Sequence, residues 1–127
     1  ALNRESVLAA GLREAEVETP IGPVVLREMT AGGRVEYESK CLTRKGKDFD
    51  VNVKIVRSLL LRLTLVDPDT GDLMFGPDDD AVIDKLPSSF VEAVFGPAQR
   101  INGITKDDVD ELAGNSGSAP PNDSSSD

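Results

Sequence analysis

The amino-acid sequence predicts a small α+β domain, mostly helical, with one N-terminal β-hairpin and a disordered C-terminal tail. Three observations carry that expectation. Apolar and polar residues alternate between Ala15 and Met29 on either side of a Pro-Gly turn, which is the period of half-buried strands. Apolar residues then recur at helical spacing in Val51 to Val66 and in Phe90 to Ile101. After Gly114 the chain is Ser, Gly, Pro, Asn and Asp with one Ala, a composition that cannot bury enough apolar surface to offset its ordering entropy. Residues 1–115 therefore read as one domain and residues 116–127 as its tail.

Each element has a local reason. Asn3 is placed to cap a first helix, with Leu2 stapled to Val7, and that helix should run to about Gly11 and bury Val7 and Leu8. From Ala15 the pattern switches: Ala15, Val17 and Thr19 face one way, Glu16 and Glu18 the other. Pro20-Ile21-Gly22-Pro23 turns the chain into a second strand, Val24 to Met29. Two strands alone are marginal in water, so helices must cover one face. Thr30 should cap a helix from Ala31 to about Arg44, its first turn weakened by Gly32 and Gly33. Val35 and Leu42, with Tyr37 and Cys41, give it a partly apolar side. Lys45-Gly46-Lys47-Asp48 is a polar connection.

Val51 to Val66 is the most hydrophobic stretch. Read as a helix it carries one polar stripe, Lys54, Ser58 and Arg62, with Val53, Val56, Leu59, Leu60 and Leu63 around the rest. Such a helix belongs at the centre of the fold, although the β-branched residues near its start leave a buried strand open for part of it. Asp67 to Asp72 is a turn and Leu73-Met74-Phe75 a short apolar segment. Asp78, Asp79 and Asp80 precede a short helix through Leu86, which Pro87 stops. Ser89 with Glu92 forms a capping box for the helix bearing Phe90, Val91, Val94, Phe95, Ala98 and Ile101. Gly96-Pro97 should bend or split it near Phe95. Asn102-Gly103 breaks the chain, and Thr105 caps a last acidic helix stapled by Ile104 and Val109 and stopped by Gly114.

Composition narrows the function. Net charge is −9, unevenly spread: residues 1–66 carry 11 basic and 9 acidic side chains, residues 67–127 carry 3 and 14. The C-terminal half repels nucleic acid and suits a basic partner, or simply keeps the protein soluble. With four Phe, one Tyr and no Trp, stacking platforms for bases are not expected. No apolar run approaches a membrane span and the N-terminus lacks a signal-peptide pattern, so no membrane is expected as a partner. A single cysteine fits a reducing cytoplasm.

The chemistry of a reaction centre is also missing. Without histidine there is no ordinary general base near neutral pH and no Ser-His or Cys-His nucleophile. Cys41 reads as a small buried hydrophobe. Asp67, Asp69, Asp72 and Asp78 invite comparison with a calcium loop, but Gly71 and Asp72 stand in reversed order for one, and Asp78 is shorter than the usual Glu. A turn rich in turn formers explains the same residues. Gly32-Gly33 lacks the pattern of a phosphate cradle, and Arg44, Lys45 and Lys47 read as a solvated connection. No catalytic, cofactor or metal residue is assigned, and a non-enzyme is expected.

The run Arg100-Ile101-Asn102-Gly103-Ile104, followed by Asp107-Asp108-Val109-Asp110-Glu111-Leu112 and Asn115, resembles the C-terminal end of tail assembly chaperones from long-tailed bacteriophages. Leu2-Asn3-Arg4-Glu5 into Val7-Leu8, the Val17 to Arg27 segment with Pro20 and Gly22, and the Leu65-Val66-Asp67 to Leu73-Phe75 turn fit the same family. The resemblance covers roughly residues 2–115. It implies a non-enzymatic chaperone that binds the tape measure protein, and through it meets the tail tube protein. Such a chaperone works in the host bacterial cytoplasm and is absent from the mature virion. The candidate contact residues are Leu61 beside the polar stripe, Val109 and Leu112 on the last helix, and the acids Asp107, Asp108, Asp110 and Glu111. A structural tail completion or head–tail connector subunit is the alternative, and a calcium-dependent binding module using Asp67 to Asp78 a further one.

Overall fold

A computed structural model describes residues 1–104, apart from the side chains of Thr43, Arg44, Lys45, Asp48 and Phe49. The chain order is α1 (Arg4–Ala9), β1 (Glu14–Thr19), β2 (Gly22–Arg27), α2 (Ala31–Cys41), β3 (Leu42–Lys45), β4 (Asp48–Val51), α3 (Val56–Thr64), β5 (Leu65–Val66), α4 (Asp80–Ile83) and α5 (Ser88–Ile101). This is the α+β class with an N-terminal hairpin. The predicted last helix, the tail at 116–127 and the contact residues Asp107, Asp108, Val109, Asp110, Glu111 and Leu112 lie outside the described residues.

β1 and β2 pair antiparallel from Glu14↔Arg27 to Thr19↔Gly22, joined by the two-residue loop Pro20-Ile21. The Thr19 hydroxyl donates to the Gly22 carbonyl at 2.6 Å, and Gly22 sits at φ 126°, a region other residues enter at a steric cost. β5 adds to the other edge of β2 through Val25↔Val66 and Leu26↔Leu65, so the sheet order is β1-β2-β5. Leu26, at its centre, is fully buried. β5 is continuous with α3, and the Thr64 hydroxyl donates back to the Leu60 carbonyl at 2.7 Å where the helix gives way to strand.

α3 is the axis of the core. All seven residues from Ser58 to Thr64 are buried, because α2, α4 and α5 pack against the helix. Its predicted polar stripe is thus only partly a solvent face: Lys54 is exposed, but Ser58 and Arg62 are buried. Leu61, read from the sequence as a contact residue, has no exposed surface. Its place beside the stripe was next to solvent only if Arg62 pointed outward. Leu59, Leu60, Leu61, Phe90, Val94 and Ala98 form the heart of one cluster, each large side chain stabilising the fold by about 1.5–3 kcal/mol.

Several boundaries differ from the sequence reading. α1 is capped as predicted, with Ser6 N–H donating to Asn3 Oδ1 at 2.9 Å. It buries nothing, however, and Val7 and Leu8 are 57% and 66% exposed. Among the described residues no neighbour buries the apolar side of this six-residue helix. α2 starts where expected, with Gly33 N–H donating to Thr30 Oγ1, but stops at Cys41. Tyr37 and Cys41 face the core while Val35 is 65% exposed, so the buried face is rotated from the predicted one. The predicted end of α2, the polar connection and the start of the long helix are instead a second hairpin, β3–β4. Gly46 at φ 63° supports its two-residue loop. Asn52 then turns the chain ahead of α3: its carbonyl accepts from Ile55 N–H and Val56 N–H, and its side chain accepts from Lys54 N–H.

α5 begins at Ser88 with Pro87 as its cap residue and no side-chain cap bond, so Ser89 and Glu92 lie inside the helix and make no capping box. α5 also continues through Pro97 without splitting. The bond that Pro97 cannot donate is a local loss, and the packing of Phe90, Val94 and Ala98 holds both halves on one core. Asn102 closes the helix and ties it to the N-terminal half. Its amide donates to the Ala98 carbonyl at 2.8 Å, its side-chain oxygen accepts Met29 N–H at 2.7 Å, and its carbonyl accepts from Arg34 at 2.9 Å.

Two substitutions test this arrangement in urea denaturation. Leu61→Ala should destabilise by about 2–5 kcal/mol as a core truncation, whereas a residue on a contact surface would leave the midpoint nearly unchanged. Asn102→Ala should cost about 1–3 kcal/mol because it strands the Met29 amide.

Candidate partner-binding surface

The buried Arg62 is the most constrained charge among the described residues. Its Nε donates to Asp80 Oδ1 at 2.9 Å and its Nη2 to Glu36 Oε2 at 2.8 Å, joining α2, α3 and α4. Lys40 also donates to Glu36 Oε2, at 2.9 Å. The hydrogen bond from Arg62, then that from Lys40, hold the Glu36 carboxyl below its usual range. Burial alone would favour discharge of Arg62, but its bonds to Glu36 and Asp80 more than offset this and raise its pKa. Every strong bond in the triad is satisfied within the protein, so it acts as a clamp rather than a reacting group.

Cys41 is 3% exposed, and burial pushes its thiol up to about 11. A protonated, buried thiol is a poor nucleophile. Asp67, Asp69 and Asp72 form the predicted turn. Asp67 Oδ1 accepts from Asp69 N–H, Thr70 Oγ1 accepts from Asp72 N–H, and Gly71 takes φ 77°. Asp67 serves its own backbone, and among the described residues no group of three or more Asp, Glu or Cys side chains is placed to hold a metal ion. Arg44, Lys45 and Lys47 fall at and around the tip of the β3–β4 hairpin. No described helix is long and apolar enough to cross a membrane.

What the surface offers a partner lies elsewhere. A cleft of about 240 Å³ opens where the start of α3 meets α4 and α5. Ile83, Leu86 and Val91 line its apolar side, and Val53, 76% exposed, stands at its mouth. Lys54 and Arg57 supply positive charge to the lining, Asp84 and Glu92 negative charge. Arg57 is held in place on α5: it pairs with Glu92 at 3.3 Å and lies over the Phe95 ring, 5.3 Å from the centroid. Both members of that pair are more than half exposed, so it shapes the rim and adds little stability.

Of the predicted contact residues only Leu61 is described, and it is not among the residues lining this cleft. Leu61 is inside the core, and the others lie outside the described residues. The residues that do form it were visible in the sequence only as stripe or capping positions. Lys54 began the polar stripe, Glu92 belonged to the supposed capping box, and Val53 was assigned to a buried helix face. The Asn52 turn is what moves Val53 and Lys54 out of the helix and onto the rim. Compared with known protein families, curated proteins and solved structures, the chain matches none.

Two measurements follow from the local chemistry. Glu36 has a depressed folded pKa, so its contribution to stability is present above the unfolded value of 4.5 and is lost as pH falls through the folded value. The stability gap between the wild type and Glu36→Gln should therefore be constant near neutral pH and narrow below about pH 4.5. Thiol titration at pH 8 should leave Cys41 unmodified in the folded protein and label it fully in denaturant.

Proposed function

We propose that the chain is a tail assembly chaperone of a long-tailed bacteriophage. In this role it binds the tape measure protein in the host cytoplasm and keeps it soluble until tail tube subunits polymerise around it. The observation that carries the reading into this fold is the α3–α4–α5 cleft. An apolar side with Val53 at the mouth and both signs of charge on the rim suit one face of an amphipathic helix, and a tape measure protein is a long helical client. Helix-in-groove recognition needs that combination: apolar anchors give affinity, and the charged rim sets register.

The family resemblance of residues 2–115 supports the same reading. The role is one of reversible shielding. Its client must leave intact when the tube forms, so a shallow, charge-rimmed cleft suits it better than a deep apolar one.

Co-expression with the tape measure protein of the same phage tests the proposal. The client should stay soluble and co-elute with this chain. Val53→Asp, at an exposed position that leaves the core alone, should lower the co-eluting amount at least about tenfold. Charge reversal at Asp107, Asp108 and Asp110 asks separately whether the C-terminal acids also touch the client. An insoluble client with this chain eluting alone would overturn the reading and favour a tail completion or connector subunit, to be sought in finished particles.

A further inference from the structure

One wall of the α3–α4–α5 cleft, residues 76–87, is bonded mainly to itself. Gly76 N–H donates to Asp79 Oδ2 at 2.7 Å, and Asp79 N–H donates back to the Gly76 carbonyl at 3.1 Å. Ile83 N–H and Asp84 N–H donate to the Asp79 and Asp80 carbonyls, Lys85 N–H and Leu86 N–H to those of Val82 and Ile83. The backbone bonds described for residues 76–86 thus all close within the segment. Two side chains fasten it to the body, with half-buried Leu86 beside them. Ile83 is buried, and Asp80 accepts from Arg62 at 2.9 Å.

The fastening at Arg62 is asymmetric. The Arg62 side chain is 5% exposed and that of Asp80 46%, so a departing Asp80 carboxylate has water at hand. Arg62 meanwhile keeps its 2.8 Å bond to Glu36 on α2. Loss of a sole partner would strand a buried charge, and the second carboxylate prevents that. Detachment therefore gives up one half-exposed ion bond and the burial of Ile83 and part of Leu86. Segments with so few buried apolar contacts open locally, well below the cost of global unfolding. A helix of four residues has no stability of its own to oppose this.

We propose that residues 76–87 are a strap that swings off α3 as a unit, opening the cleft to a helical client. Gly76, without a side chain, supplies the hinge, and Pro87 ends the strap where α5 begins. Size argues for the motion. With the strap in place the cleft holds about 240 Å³, under the roughly 300–1,000 Å³ of pockets that enclose a ligand. Ile83, Asp84 and Leu86 belong to the strap, whereas Arg57, Ser58, Val91 and Glu92 stay behind on α3 and α5. Lifting the first set leaves the second as a trough continuous with the vacated seat of Ile83. The opening itself stands on these bonds; its use by a client rests on the function proposed above.

The full chain carries its own control, the buried thiol of Cys41. Ile83→Cys keeps a small apolar side chain in the seat, and a thiol reagent then reads how often position 83 comes free. That position should be labelled at least about a hundredfold faster than Cys41. Its rate should scarcely respond to low urea, because little surface is uncovered. Asp80→Ala should quicken labelling at position 83 at least about tenfold further, a larger change than at Cys41. Equal rates and equal urea dependence at the two thiols would overturn the strap, as would an Asp80→Ala chain that labels no faster. A misfolded Ile83→Cys chain betrays itself by rapid labelling of Cys41, and amide exchange of the wild type then decides. The Ile83, Asp84 and Leu86 amides should exchange as one group ahead of α3 and α5, and exchange in step with those helices overturns the proposal. In a co-eluting complex with the tape measure protein, labelling at position 83 should be faster than in the free chain. Slower labelling would place the client on the closed cleft and overturn its use of the strap. A client that never co-elutes counts against the function proposed above, and the thiol rates still decide the strap.

Discussion

The fold depends on a positive charge placed where there is almost no water. Arg62 lies on the central helix and is 4% exposed, and a buried guanidinium is tolerable only if carboxylates reach it in good geometry. That requirement fixes three elements at once. Glu36 must come from α2, Asp80 from the first turn of α4, and both must converge on the same turn of α3. Apolar packing alone would let short helices slide over a leucine-rich surface at small cost. The two directional bonds remove that freedom. α4 is only four residues long, too short to persist by itself, and its Asp80 bond to Arg62 is what gives it a defined seat. The lower wall of the α3–α4–α5 cleft is therefore held by a charge inside the core.

A second set of bonds closes the molecule from the other end. Asn102 and the last carbonyls of α5 receive Met29, Arg34 and Arg13, so the helix that terminates the described chain also caps the sheet. The orphan carbonyls at a helix end need partners, and here they are supplied by residues from the first third of the sequence. The same bonds decide where the N-terminal arm departs. α2 takes part in both sets, through Glu36 at Arg62 and through Arg34 at Asn102.

Legibility in the sequence followed how local each signal was. The β1–β2 hairpin could be read because alternation and the Pro20 to Gly22 turn lie within fifteen residues. Thr30 and Asn3 could be read as caps because a cap is a three-residue event. The second hairpin was obscured by its charged tip, where Lys45, Lys47 and Asp48 look like a connection. Only Gly46, with its positive φ, and the β-branched and aromatic residues around it pointed to a turn between strands. Arg62 was misassigned to a solvent stripe because spacing reports that residues share a helix face and says nothing about what covers it. Its partners lie 26 and 18 residues away, beyond any periodic pattern. Leu61 went wrong for the same reason, and the cleft was unreadable because it exists only once Asn52 has turned the chain between β4 and α3.

The Asn102 lock also has a consequence in time. Arg13 waits for Ile101 across 88 residues, Met29 for Asn102 across 73, and Arg34 for Asn102 across 68. A ribosome adds residues at about 5–20 per second, so the hairpin and α2 exist for several seconds before their anchors have been made. During that interval the sheet lacks α5, the helix that packs on β1 and β2. Closure over such separations also carries the loop entropy that slows folding. The last described helix to be synthesised is the one that completes the first hairpin, and the described fold closes only after residue 102 has cleared the exit tunnel.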